Sequence, residues 1–87
     1  MEYYLFGSRA RGDARCDSDY DLIIIGHISD AHYRELYENS IEMGGKLDVF
    51  YYDGVSLRAL FDENRAIIGK AVNDCLKEAV KITEVPL

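Results

Sequence analysis

The chain has 87 residues, enough for one small hydrophobic core, so we expect a single domain over residues 1–87. Its formal net charge of −6 argues against binding of nucleic acid, because surfaces that grip a phosphate backbone are basic. No apolar run approaches the roughly twenty residues of a membrane span. Cys16 and Cys75 show no metal-ligand spacing, and without a signal peptide they indicate a reduced, cytoplasmic setting.

The first part of the chain alternates strand and helix patterns. A β-prone run at residues 3–6 ends at Gly7, and residues 8–11 have the composition of a short helix that begins at a serine cap. A second strand is predicted at residues 20–25, where four successive aliphatic side chains indicate burial on both faces.

The middle of the chain continues this alternation. A helix is predicted to begin at Ser29 or Asp30 and to run to about Met43, because one stripe of apolar residues lies opposite charged ones. The glycine pair that follows is typical of a helix end. A third strand is predicted at residues 47–52.

The last third of the chain is predicted to be mostly helical. Ser56 is expected to cap one helical segment over residues 57–61, and residues 68–79 place apolar side chains on one helical face, interrupted only by Gly69. Residues 80–83 are predicted as a short edge strand. The resulting order of strand, helix, strand, helix, strand and helices indicates an α/β sandwich built on a small sheet.

Gly7 and Ser8 suit a loop whose backbone approaches a phosphate. Glycine permits close approach, and serine offers a hydroxyl and an N–H group at the start of a helix. Arg9, Arg11 and Arg15 lie beside this loop, which favours a small anionic ligand over a polymer. We expect Arg9 to contact the ligand; the alternative is a solvated helix residue.

Two aspartates come just after this loop. Asp19 and Asp21 share one face of the second strand, because side chains at i and i+2 point the same way. Adjacent carboxylates repel unless a cation compensates them, and Mg²⁺ prefers oxygen ligands. A turn or capping cluster at the start of the strand is the alternative, and the pair alone does not distinguish the two.

Asp48 lies in the apolar third strand, where an unpaired charge is costly. If the third strand neighbours the second, Asp48 meets Asp19 and Asp21 and completes a three-carboxylate site. Such a site holds two metal ions, one orienting a triphosphate and one activating the attacking oxygen. Asp48 is also a candidate general base; the alternative is a strand-end carboxylate that faces water.

These motifs resemble those of a known family. The segments Gly-Ser-Arg-Ala-Arg-Gly (residues 7–12) and Ser-Asp-Tyr-Asp-Leu (residues 18–22) resemble the signature of the minimal nucleotidyltransferases of the DNA polymerase β superfamily. Asp48-Val49 is similar to that family's third carboxylate position, and the resemblance covers roughly residues 3–52.

The resemblance implies a fold, a site and a partner. The implied fold is a mixed β-sheet flanked by helices, and the implied substrate is ATP with two Mg²⁺ ions. Members of this family often pair with a helical HEPN toxin ribonuclease and act as its antitoxin by adenylylating a tyrosine. The implied metal ligands are Asp19, Asp21 and Asp48, and the implied nucleotide-binding residues are Gly7 and Ser8.

The chain departs from the family pattern at its start. The family usually carries a helix before the first strand, whereas only two residues precede Tyr3 here. We therefore expect one face of the sheet to need cover from a homodimer or a partner protein. The candidate contacts are Tyr3, Tyr4, Tyr51 and Tyr52.

Two alternatives to a protein adenylyltransferase remain open from the sequence. One is a non-catalytic antitoxin that neutralises its partner by complex formation. The other is a nucleotidyltransferase that acts on the hydroxyl of a small molecule, although such enzymes usually carry a further substrate domain.

Overall fold

The computed structural model describes residues 2–83, which form one six-stranded sheet and three helices. The strands are β1 (Glu2–Phe6), β2 (Tyr20–Ile25), β3 (Leu47–Tyr52), β4 (Leu57–Ala59), β5 (Ala66–Ile67) and β6 (Val80–Ile82). The helices are α1 (Ser8–Arg11), α2 (Asp30–Glu42) and α3 (Lys70–Glu78). Across residues 2–83, no helix has the length and the apolar composition of a membrane span.

The strand order determines where the candidate residues meet. It runs β5-β4-β3-β2-β1-β6, with β2 and β3 parallel and every other neighbouring pair antiparallel. Parallel neighbours need a crossover connection, which α2 provides. Because β1 runs the opposite way, its last residue, Phe6, pairs with Asp21, which in turn pairs with Asp48. The end of β1 and the starts of β2 and β3 therefore share one edge of the fold.

Each face of the sheet has its own core. On one face the buried side chains include Val72 of α3, and on the other they include Leu36 of α2. Ile23 and Ile24 point to opposite faces and are both fully buried, which confirms the prediction that β2 is central. The first core contains Phe6, Ile23, Phe50, Leu57 and Val72, and the second contains Leu22, Ile24, Leu36, Leu47 and Val49.

Most predicted elements are confirmed. Strands β2 and β3 have the predicted bounds, and β6 lies at the sheet edge as predicted. The side chain of Ser29 caps α2 by accepting a hydrogen bond from the backbone N–H of His32 at 3.2 Å. The mixed α/β architecture agrees with the implied fold. Because α3 packs on one face of the sheet and α2 on the other, the expectation of an uncovered sheet face is wrong.

The helix predicted after Ser56 is wrong, because this segment forms strand β4. The side chain of Asp53 accepts hydrogen bonds from the backbone N–H groups of Val55 and Ser56 at 2.9 and 2.6 Å, and from the Ser56 hydroxyl at 2.8 Å. These bonds close a tight turn that returns the chain beside β3, and they hold the pKa of Asp53 well below its usual range. Leu57 is then fully buried in the sheet.

The last helix is shorter than predicted. Gly69 has a φ of 68°, a conformation that favours glycine, and α3 begins only at Lys70. Ile68 is 71% exposed and so does not belong to the buried helical face. Val72, Cys75, Leu76 and Ala79 do pack in or against the first core, whereas Ala71 is exposed.

Candidate active site

The loop between β1 and α1 brings the backbone of Gly7 against Asp21. Gly7 has φ 75° and ψ −153°, which disfavours residues with a side chain. A Cβ atom at this position would lie 2.5 Å from Oδ2 of Asp21. Both facts require glycine here, and contact between Gly7 and a phosphate stays a prediction.

Ser8 is the first residue of α1, and Gly7 takes the N-cap position. The predicted serine cap is therefore wrong, because no side chain caps this helix. The backbone N–H groups of Ala10 and Arg11 donate to the Gly7 carbonyl at 3.1 and 3.0 Å, which closes the turn tightly around the loop. The hydroxyl of Ser8 is consequently not consumed by capping.

Asp21 and Asp48 lie opposite each other on the neighbouring strands β2 and β3. Burial raises the pKa of Asp21 to about 6, and the negative charges of Asp48 and then Asp19 add to this effect. The structure thus brings two of the three predicted carboxylates side by side and places exposed Asp19 within electrostatic reach.

The carboxylates have the chemistry of a magnesium site but are not gathered into one. Within residues 2–83, no group of three or more His, Cys, Asp or Glu side chains is close enough to hold a metal ion. Their oxygen donors nevertheless suit Mg²⁺, and a cation there would offset both the burial and the repulsion that raise the pKa of Asp21. Metal binding by Asp19, Asp21 and Asp48 therefore stays a prediction. The chemistry of these three side chains is compatible with it.

Arg65 is a neighbour of the site that sequence reasoning missed. Its Nη1 donates to Oδ1 of Asp48 at 3.2 Å, and its guanidinium lies 5.6 Å from the centre of the Phe50 ring. The hairpin formed by β4 and β5 brings it there, and the prediction of a helix over residues 57–61, where β4 lies, concealed that proximity. An open cavity of about 360 Å³ adjoins this side, lined by Phe50, Asn64, Arg65, Ala66 and Ile67.

Arg9 makes contacts within the chain. Its Nη2 donates to the carbonyls of Ser18 and Cys16 at 2.9 and 3.3 Å, and its guanidinium lies 4.2 Å from the centre of the Tyr20 ring. These contacts hold the loop that leads into β2 and so place Asp19. Nε of Arg9 is buried without a hydrogen-bond partner. Contact between Arg9 and a nucleotide stays a prediction.

A second residue missed by sequence reasoning is Glu78, the last residue of α3. Its Oε1 accepts a hydrogen bond from the backbone N–H of Gly7 at 3.0 Å. Nη1 of Arg11 lies 3.3 and 3.4 Å from the two oxygens of the same carboxylate. No local pattern indicates this contact, since 71 residues separate Glu78 from Gly7.

Both cysteines are free thiols. Cys16 is exposed in the loop before β2, and Cys75 is half-buried and packs against the first core. Burial, followed by the charge of Glu78, raises the pKa of the Cys75 thiol. A thiol with a raised pKa is a poor nucleophile, which argues against a catalytic role for Cys75.

Comparison with known protein families identifies the class of protein to which the chain belongs. Residues 2–73 match the family model described as "Polymerase beta, Nucleotidyltransferase". The chain therefore belongs to the polymerase β nucleotidyltransferase family, and its enzyme class is nucleotidyltransferase. No curated protein and no solved structure matches the chain.

Proposed function

We propose that the chain is a Mg²⁺-dependent adenylyltransferase that moves AMP from ATP to a tyrosine hydroxyl of a HEPN toxin partner. It would act in the cytoplasm as the antitoxin of that partner. The observation that carries the proposal is the pairing of Asp21 with Asp48 beside the Gly7 backbone. This arrangement sets carboxylate oxygens for metal next to a loop suited to phosphate, which is what nucleotidyl transfer requires.

The order of the candidate residues along the edge of the sheet indicates the side from which the acceptor hydroxyl would attack. Gly7 and Ser8 follow β1 on one side of Asp21, and Asp48 with Arg65 lies on the other side. Attacking and leaving oxygens stand roughly in line across the phosphorus. If Gly7 and Ser8 hold the departing pyrophosphate, the hydroxyl arrives from the Asp48 side, where the open cavity lies.

The roles of the residues follow from these positions. The tyrosine oxygen forms a bond to the α-phosphorus of ATP, and the bond from that phosphorus to the oxygen bridging the α- and β-phosphates breaks. Asp48 accepts the proton of the tyrosine hydroxyl. Asp19, Asp21 and Asp48 would hold two Mg²⁺ ions, which neutralise the triphosphate and favour the deprotonated acceptor.

The transfer test uses the protein encoded by the adjacent reading frame as acceptor. Wild type is incubated with that protein, Mg²⁺ and ATP labelled at the α-phosphate, and Asp21→Asn is run beside it. We expect label on a partner tyrosine with wild type alone. Label on neither sample, while wild type still neutralises the partner, would contradict the proposal.

The same experiment tests the second candidate, a non-catalytic binding module. One observation favours it: Arg65 pairs with Asp48 and so occupies a carboxylate that the metals need. For a binding module, Asp21→Asn and wild type would neutralise the partner equally well. Homodimer or partner contacts through Tyr3, Tyr4, Tyr51 and Tyr52, all of them half-buried, stay predictions.

A further inference from the structure

Glu78 joins the end of α3 to Gly7, in the loop that follows β1, and to Arg11, the last residue of α1. The carboxylate accepts from the backbone N–H of Gly7 and lies within 3.4 Å of the Arg11 guanidinium. Its side chain is 30% exposed, and its bond to Gly7 is partly buried. Within residues 2–83, two carboxylates contact Arg11. Glu78 also contacts the backbone of Gly7, whereas Asp13 lies two residues after Arg11, beyond the end of α1.

We propose that Glu78 is a positioning residue for triphosphate binding, which it promotes by fixing the Gly7 backbone and the Arg11 guanidinium. This inference rests on the proposed function, since it assumes that the triphosphate lies at Gly7 and Ser8. Glu78 itself would not touch the nucleotide.

The bond to Gly7 holds this glycine in one of the several backbone conformations open to it. The φ of 75° at Gly7 keeps the loop against Asp21, and a glycine is free to leave such a conformation unless other bonds fix it. A charge-assisted hydrogen bond to the Gly7 N–H is strong enough to do so. Because the bond comes from α3, it fixes the loop relative to the sheet that carries Asp21 and Asp48.

The contact with Glu78 orients the Arg11 guanidinium and leaves some of its N–H donors free. Nη1 faces Glu78, and Nε donates to Oδ2 of Asp13 at 3.3 Å. A guanidinium carries five N–H donors in a fixed fork, so donors at Nη2 remain for a phosphate. Two carboxylates at its edges therefore set the plane of Arg11 in advance, which lowers the entropy lost when the phosphate binds.

The test compares Glu78→Ala and Glu78→Gln with Glu38→Ala and Glu38→Gln. Glu38 is an exposed glutamate of α2, which packs on the opposite face of the sheet, so its variants carry the same change of charge. Binding of Mg²⁺–ATP and of Mg²⁺–pyrophosphate is measured by calorimetry. Exchange of the Gly7 amide is measured by NMR without nucleotide, and unfolding by urea confirms that each variant is folded.

We expect Glu78→Ala to weaken binding of ATP and pyrophosphate alike, by about tenfold, and to speed exchange of the Gly7 amide. Glu78→Gln keeps an oxygen that accepts from Gly7, so it should retain the slow exchange and lose only about threefold in affinity. The Glu38 variants should match wild type in all three measurements. This rescue by glutamine separates positioning from a general loss of stability.

Tighter binding of ATP by Glu78→Ala would overturn the inference, because it would make Glu78 a competitor of the phosphate. Unchanged affinity, or an unchanged Gly7 amide, would overturn it as well. Wild type that binds Mg²⁺–ATP but transfers no AMP would contradict only the proposed function, since the binding comparison does not depend on transfer.

Discussion

Asp21 and Asp48 stand opposite each other in the parallel register of β2 and β3, next to a glycine backbone that leaves no room for a side chain. Like charges so placed are costly unless a cation joins them. Substitutions of these carboxylates therefore test the proposed function more directly than substitutions elsewhere in residues 2–83.

Replacing the paired carboxylates should abolish transfer. We expect Asp21→Asn and Asp48→Asn each to lower AMP transfer by about 10²–10⁴-fold, because bound metal supplies several kcal/mol to such reactions. The fold should persist, and circular dichroism checks it. Asp74→Asn, an exposed aspartate of α3, is the matched control and should keep full activity.

Asp21 should make the metal-free protein sensitive to pH. Its pKa of about 6 in the folded chain exceeds the ordinary value of about 3.9. Ionising Asp21 costs more free energy in the folded protein than in the unfolded chain. This cost is absent below about pH 4 and complete above about pH 6, so the free energy of unfolding falls as pH rises between these values.

Because Asp21 is only partly buried and solvent screens its charge, chelator-treated wild type should lose about 1–2 kcal/mol of unfolding free energy from this residue over this range. Asp21→Asn should lack that loss and be the more stable protein at pH 7. Urea denaturation at pH 4, 5, 6 and 7 measures both. Equal pH profiles for the two proteins would mean that Asp21 ionises like an ordinary surface carboxylate.

The substitution Gly7→Ala should lower the free energy of unfolding by more than the backbone strain of an alanine at positive φ alone would do. Both Gly7 and Gly45 have a positive φ, of 75° and 79°, but only at Gly7 would a Cβ meet another atom, Oδ2 of Asp21. We expect Gly45→Ala to lower the unfolding free energy by about 1 kcal/mol and Gly7→Ala by about 2–3 kcal/mol. If the two variants prove equally stable, the loop does not press against Asp21.

Removing Arg65 should strengthen metal binding. The guanidinium pairs with Asp48, so Mg²⁺ must displace it before all three carboxylates can act as ligands. Arg65→Gln is expected to tighten Mg²⁺ binding by about three- to tenfold, as judged by calorimetry. Arg58→Gln removes an arginine of similar exposure that pairs with Asp53 instead, and it should leave the affinity unchanged.

The central strands, and the proximity of Asp21 to Asp48, can be predicted from the sequence because both depend on patterns within short segments. Four successive aliphatic residues in β2 specify burial on both faces, and a helical crossover between two such strands specifies a parallel pair. Once β2 and β3 are neighbours, the meeting of Asp21 and Asp48 follows from their positions at the strand starts.

The rest of the site depends on contacts that no local pattern carries. Leu57, Leu60 and Phe61 fit a helical stripe as well as they fit β4 and its loop, and the side-chain bonds of Asp53 decide between the two. That error hid Arg65. Glu78 meets Gly7 only because α3 returns to the sheet beside β1.

The most direct test of the proposed metal site is the anomalous diffraction of a crystal grown with Mn²⁺ and a non-hydrolysable ATP analogue. We predict anomalous peaks between Asp21 and Asp48, with Asp19 as a further ligand, Arg65 moved away from Asp48, and the triphosphate against Gly7 and Ser8. A bound analogue with no metal at these carboxylates, or with metal held elsewhere, would contradict the account.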